Sequence, residues 1–380
     1  MDPITHLLTG ACLGRAGFNR KAAYATLAMT LAAEIPDLDT VWSVGGPVAG
    51  FLHHRGITHT FAAVPLDALA ALGMVWLAHR WRVGRAAAKA AAIELPVDPM
   101  ADQPIVRPLT AAPLRWGLLY GFALFASLSH IFLDWTNNYG VRPFFPFNPR
   151  WYAGSFVFIF EPVMFAALAV ALIAPLLFGL VGSEVGARRP VFRGRGWAIF
   201  ALAVMAGLWG WRWVEHEAAV QLASTAIYGP EGSAGVEVLR VTASPYPGNP
   251  YHWHTVVEAP GFYQMADVDT LKETVATNPE QDLFYKPAAT PAIRAAEASR
   301  LGKAYLDWSS WPLVSDMGPG VPDDGPADAA GWTAVRFVDL RFLYDTFLMR
   351  GREAPPISGT VYIDGGGRVA WTEFNGAMQK

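Results

Sequence analysis

The chain has 380 residues, of which 53% are hydrophobic and 16% charged, with a formal net charge of −3 and a mean hydropathy of +0.24. So low a charged fraction, against roughly 25% in soluble domains, points to a membrane protein with some soluble mass, and the charge balance gives no reason to expect nucleic acid. A single cysteine, Cys12, excludes an intramolecular disulfide and a Cys-rich zinc site, so any metal must be held by His, Asp and Glu.

The N-terminus, "MDPITHLLTG", has no basic stretch before its apolar run and does not read as a cleaved signal peptide. Two short apolar helices are expected at about 3–17 and 22–34. Thirteen residues at ~1.5 Å each reach only ~20 Å, so this pair should not cross a bilayer cleanly. Four longer runs follow at 61–79, 114–133, 156–181 and 197–215, close to the roughly 20 residues a hydrocarbon core requires. The expectation is an α-helical membrane domain of about six apolar helices, the first two short, over residues 1–216.

Beyond residue 216 the pattern changes. "GVEVLRVTA", "YHWHTVVEA", "WTAVRFVDLRFLY" and "GTVYIDGGGRVAWTEF" alternate like strands, with glycines suited to turns. The stretch 289–306 reads as helix, and 312–331 as a flexible loop. Residues 217–380 are therefore expected to form a mainly β (α+β) extramembrane domain.

Basic residues set the expected orientation. The first, third and fifth gaps between segments carry thirteen Lys and Arg, among them Arg20, Arg80, Arg107, Arg188 and Arg193, against three in the other two gaps. If all six segments cross, both termini lie outside the cytoplasm.

Ionisable groups in apolar segments are costly and mark function. Four clusters occur: Thr5-His6; Glu34, Asp37 and Asp39; His53, His54, Arg55, Thr58 and His59; and His130 with Asp134. On the expected topology all four reach the same, outer face. His130 and Asp134 are four residues apart, so they share one helix face. Imidazole and carboxylate donors suit zinc and similar divalent ions. Two or three ions could activate a bridging hydroxide and polarise a phosphoryl or carbonyl oxygen.

The candidate metal residues are His6, Asp37, Asp39, His53, His54, His59, His130 and Asp134, with His53 and His54 as alternatives for one position. Glu34, Arg55 and Thr58 are candidate catalytic residues. Arg55 is suited to clamp an anionic group, and Thr58 to orient a histidine. Each cluster alone has an ordinary reading: a helix-surface pair, an interfacial residue, a Pro36 turn, a membrane-interface anchor. Convergence of four on one face favours a metal site. Asp67 is either an acid supporting the site or a helix–helix contact, and Glu161 is a weak ligand candidate.

Taken in order, Thr5-His6, Pro36-Asp37-Leu38-Asp39, His54-Arg55-Gly56-Ile57-Thr58-His59 and His130-Ile131-Phe132-Leu133-Asp134 resemble the motifs of the YdjM-type family of membrane-bound, metal-dependent hydrolases. The resemblance covers roughly residues 1–165, including "NYGVRPFFPF". That family looks distantly similar to zinc-dependent phospholipases C, helical enzymes with a three-zinc His/Asp site. The resemblance implies zinc and phosphoester hydrolysis, with a lipid or lipid-linked substrate suited to a site at the membrane edge. The expected location is the bacterial cytoplasmic membrane, with the site and the C-terminal domain on its outer side by the distribution of basic residues. The alternative from a different class is a non-catalytic membrane protein with a structural metal site and a partner-binding β domain.

Overall fold

The computed structural model describes residues 1–92, 112–184, 194–230, 236–278, 280–321, 329, 331–343 and 355–379. Of the sequence expectations, the basic residues Arg107, Arg188, Arg189 and Arg193 and most of the stretch beyond Val321 in the expected loop fall outside these.

Among the described residues, seven α-helices form the N-terminal part: α1 (Pro3–Ala16), α2 (Ala25–Ala32), α3 (Pro47–His53), α4 (Val64–Ala92), α5 (Trp116–Thr136), α6 (Pro162–Glu184) and α7 (Arg195–Thr225). Asp2 caps α1 by accepting from the Thr5 amide at 3.0 Å, and Pro3 occupies the first turn, where a missing N–H costs nothing. α1 lies directly against α2. A Cβ on Gly14 would come within 2.5 Å of Thr26 Cα, and one on Gly10 within 2.5 Å of the Met29 carbonyl oxygen.

Among the described residues, two helices are long and apolar enough to cross a membrane, α5 and α7. A third candidate arises if Pro47–His59 and Val64–Ala88 are taken as one span, bent by 91°. The described part of α6 contributes a shorter apolar helix, Pro162–Phe178. Of the about six apolar helices expected, the first two too short to cross cleanly, two or three are thus candidate spans among the described residues. The run 61–79 illustrates why: it continues into Arg80, Arg82 and Arg85, and its helix turns sharply at its start.

Among the described residues, the C-terminal region holds two antiparallel five-stranded sheets and two α-helices. The first sheet comprises β1 (Arg240–Pro245), β2 (His252–Glu258), β3 (Phe262–Asp269), β4 (Thr274–Ala276) and β5 (Leu283–Tyr285), with β3 pairing β2, β4 and β5. Then come α8 (Pro291–Ala298) and α9 (Arg300–Trp308). The second sheet is β6 (Pro312–Pro319), β7 (Thr333–Asp339), β8 (Gly359–Ile363), β9 (Val369–Phe374) and β10 (Ala377–Gln379), in the order β10-β9-β8-β7-β6. The start of the expected loop 312–331 is therefore strand β6, paired with β7. The single helix expected at 289–306 is two, because the Ser299 hydroxyl accepts from the Gly302 amide and caps a new helix.

The two regions are in contact. Phe51 of α3 packs against Tyr305, Trp308 and Phe374. The loop following α5 is gripped from the same side. Trp308 Nε1 donates to the Tyr139 carbonyl at 3.1 Å, Arg341 Nη1 to the Asn138 carbonyl at 2.7 Å, and Arg142 pairs with Asp307 at 2.9 Å.

Candidate metal centre

α1, the segment after α2, the stretch between α3 and α4, and the end of α5 meet at one buried point. α2 ends at Ala32, so its last carbonyls lack helical partners. α5 supplies them: Ser127 Oγ donates to the Ala32 oxygen at 3.0 Å, and His130 Nδ1 lies 2.7 Å from the Ala33 oxygen. A carbonyl only accepts, so Nδ1 carries the proton and His130 Nε2 is left with its lone pair facing the site.

Beyond α2 the chain runs as an eleven-residue 3-10 helix, Ile35–Gly45, started by Pro36. Such length is uncommon for this geometry. It buries Asp37 and Asp39. Asp39 organises the histidine segment. It accepts from the Arg55 amide at 2.7 Å and lies 3.2 Å from His54 Nδ1 and 3.3 Å from His59 Nδ1. Arg55 adopts φ 52°, the left-handed region that ordinarily costs an L residue about 1–2 kcal/mol, and its amide bond to Asp39 helps hold that turn. Thr58 Oγ1 lies 3.1 Å from His59 Nδ1. Nδ1 of His59 is directed at the Asp39 carboxylate, and its Nε2 faces Asp37 and Asp134.

The convergence is close. His59 Nε2 is 3.1 Å from His130 Nε2, 3.2 Å from Asp37 Oδ1 and 3.3 Å from Asp134 Oδ2. His130 Nε2 is 3.4 Å from Asp134 Oδ2. Asp37, His59, His130 and Asp134 each offer a ligand atom within 4.8 Å of all the others, and Asp37, Asp39 and His54 form a second such group sharing Asp37. His6 joins from α1: its ring stacks on His130 at 3.7 Å, with Nε2 3.3 Å from Asp134 Oδ1. His6, His59, His130 and Asp134 are fully buried. Both nitrogens of His6, Asp37 Oδ2, Asp134 Oδ2 and Glu34 Oε2 are buried without a hydrogen-bond partner. Unpartnered buried polar atoms are expensive, and a cation would satisfy this donor set.

Electrostatics agree. Burial opposes ionisation of Asp37 and Asp39, but hydrogen bonds with His59 on the first, and with His54 and His59 on the second, hold both carboxyls well below the usual range. Glu34 has no such support. Burial, then the nearby charges of Asp37, Asp2 and Asp134, push its carboxyl up to about 8. The cluster thus combines ionised acids with one carboxyl that keeps its proton at neutral pH.

Besides His6 and Glu34, which border the cluster, His53, Arg55 and Thr58 stand outside the two ligand groups. The His53 ring stacks on Trp42 at 4.4 Å, facing away into an aromatic contact, whereas its neighbour His54 reaches Asp39. Arg55 is buried rather than presented to a cleft. Its guanidinium binds Asp134 Oδ1 at 2.7 Å and the Gly140 carbonyl at 2.7 Å, and lies over the Tyr139 ring at 4.7 Å. Thr58 acts on His59 and Asp39. Met1's amino group also pairs with Asp134. Elsewhere, Glu161 pairs with Arg212 at 2.7 Å, linking the start of α6 to α7. Asp67 is buried in α4 outside both ligand groups. Asn137 and the Ala33 carbonyl, which steady Arg55 and His130, escaped the sequence reading. The stretch "NYGVRPFFPF", directly after Asn137, was the available signal for the loop.

A helical membrane protein whose buried His/Asp cluster could hold a metal ion is the class that fold and site define. The chain belongs to the YdjM inner membrane protein family, whose model matches residues 1–219. It is also 26% identical over 180 residues to a Bacillus subtilis (strain 168) protein described as Uncharacterized protein YfhP. That match covers 45% of this chain and 45% of that protein, so the chain spans about half the length of the curated relative it matches. No solved structure matches.

Proposed function

We propose that this chain is a metal-dependent hydrolase of a phosphoester in a lipid or lipid-linked substrate. The observation that carries the reading is the meeting of His59 and His130 Nε2 at 3.1 Å, flanked by Asp37 and Asp134 oxygens. Four potential donor groups thus meet at one buried point, within reach of a single ion. Asp37, His59, His130 and Asp134 would hold one divalent ion, most naturally zinc given nitrogen and oxygen donors without thiolate. Asp37, Asp39 and His54 would hold a second, with His6 at the edge.

Bound there, divalent ions supply Lewis acidity and an acidified water. The chain's own residues do the rest. Asp39 and the Ala33 carbonyl fix the tautomers and orientations of His59 and His130. Arg55 holds Asp134 in place rather than meeting the substrate. Glu34, beside the centre with its Oε2 buried and unpartnered, is the group available to protonate a leaving oxygen. Purified protein should cleave bis-p-nitrophenyl phosphate or a phospholipid in a chelator-sensitive reaction, and His59→Ala should abolish it. Activity that survives both chelation and His59→Ala would sink the proposal.

The complete burial of His6, His59, His130 and Asp134 favours a second reading, a structural ion closed off by protein ligands. An ion with every position taken by side chains, and no turnover of any phosphoester, would establish it.

A further inference from the structure

The 3-10 helix that carries Asp37 and Asp39 has a second face. With three residues per turn, positions three apart eclipse one another. Leu38, Val41 and Val44 therefore form one ridge, and Trp42 lies beside it. All four are exposed, Val44 at 90% and Val41 at 65%. Ile57, between the Arg55 turn and His59, is 66% exposed. These side chains flank the metal ligands in sequence: Leu38 sits between Asp37 and Asp39, and Ile57 lies two residues before His59. Exposed apolar clusters of this kind on a water-facing surface are rare without a partner.

Geometry says what the partner is. Pro47–His59 meets Val64–Ala88 at 91°. α4 packs along α5, a candidate membrane span, and Phe61, Leu66 and Leu69 carry the exposed apolar surface onward from the ridge to α4. With α4 standing in the bilayer, the segment that bears the histidines lies along its plane. The other side of α3 is already taken, since Val48 and Phe51 are packed into the core built by α8, α9 and the second sheet. No Lys or Glu interrupts 35–61. Trp42, stacked on His53 at 4.4 Å, is the amphipathic aromatic that favours a bilayer interface.

We propose that the ridge Leu38–Val41–Val44, with Trp42 and Ile57, is an in-plane platform seated in one membrane leaflet, so that the metal centre receives its ligand from the lipid phase. What enters rests on the hydrolase reading above; the seating of the platform does not.

The test therefore reads lipid contact rather than turnover. In a Cys12→Ala background, an environment-sensitive fluorophore is placed at Val41→Cys, Val44→Cys and, for comparison, Lys272→Cys, whose side chain is 73% exposed in the C-terminal region. The protein is reconstituted in phosphatidylcholine vesicles and quenched with spin-labelled lipid or with aqueous iodide. Labels at 41 and 44 should emit to the blue, be quenched severalfold more by spin-labelled lipid than the label at 272, and resist iodide. Quenching of both by iodide alone would overturn the proposal. So would protection from both quenchers, which would mean that protein covers the ridge. If lipid quenching is found but no phosphoester is cleaved, the platform stands and the hydrolase reading fails.

Discussion

Glu34 titrates far from its ordinary range. Its carboxyl is raised to about 8, first by burial and then by Asp37, Asp2 and Asp134. A folded-state value above the unfolded one means its contribution to stability is complete below the ordinary carboxylate range and is lost as pH rises through about 8. In chelator-treated protein, Glu34→Gln should therefore unfold at a higher temperature than wild type at pH 9, with the gap closing toward pH 5. An unchanged gap across that range would show that Glu34 is not held protonated. A bound cation would lower the carboxyl's pKa and shrink the effect, so repeating the melts with zinc reports on the centre itself. Arg55 teaches the complementary lesson. In sequence it reads as a free cation beside histidines; in the fold its guanidinium is drawn inward by Asp134, Gly140 and Tyr139.

Among the elements, the contact of α1 and α2 sets the position of His6. Gly10 and Gly14 let the two backbones touch, and any Cβ at either position meets main-chain atoms at 2.5 Å. Gly10→Val, one turn from His6, should force the helices apart at a cost of about 1–3 kcal/mol or more. It should lower both the thermal unfolding temperature in detergent and metal retention, while a substitution at the open Gly73 should change neither. The four polar clusters were legible in the sequence because charge is conspicuous in apolar helices. Their joining was less so. It depends on unpaired carbonyls at the end of α2 and on a long 3-10 helix, and neither has a simple periodic signature. β2 was readable from "YHWHTVVE", and the β8–β9 turn from its glycines. β6 was hidden because "PLVSDMGP" is punctuated by residues that suit loops, and only pairing with β7 makes it a strand. The number of membrane spans was less legible for a related reason: apolar length alone does not show a 91° turn.

For the molecule as a whole, the distribution of basic residues favours the proposal that the centre and the C-terminal region lie on the outer side of the membrane. In a Cys12→Ala background, Lys272→Cys should react with a membrane-impermeant maleimide on intact spheroplasts, and Arg82→Cys, near the far end of α4, should react only after lysis. The reverse pattern would invert the topology and place the centre on the cytoplasmic side. The C-terminal region buttresses the loop beside the centre, through Trp308 on Tyr139 and Arg341 on Asn138. Stability of the loop that holds Arg55 is thereby coupled to a part of the chain beyond the family match.

Everything in the functional reading depends on a cation at the meeting point of His59, His130, Asp37 and Asp134. Elemental analysis of the full chain, purified without chelator, tests it most directly. The account predicts at least one divalent ion per chain, zinc foremost, lost on His130→Ala but kept in His53→Ala, whose ring stacks on Trp42. Wild-type protein that carries no divalent metal, and takes up none when zinc or manganese is supplied, would contradict it.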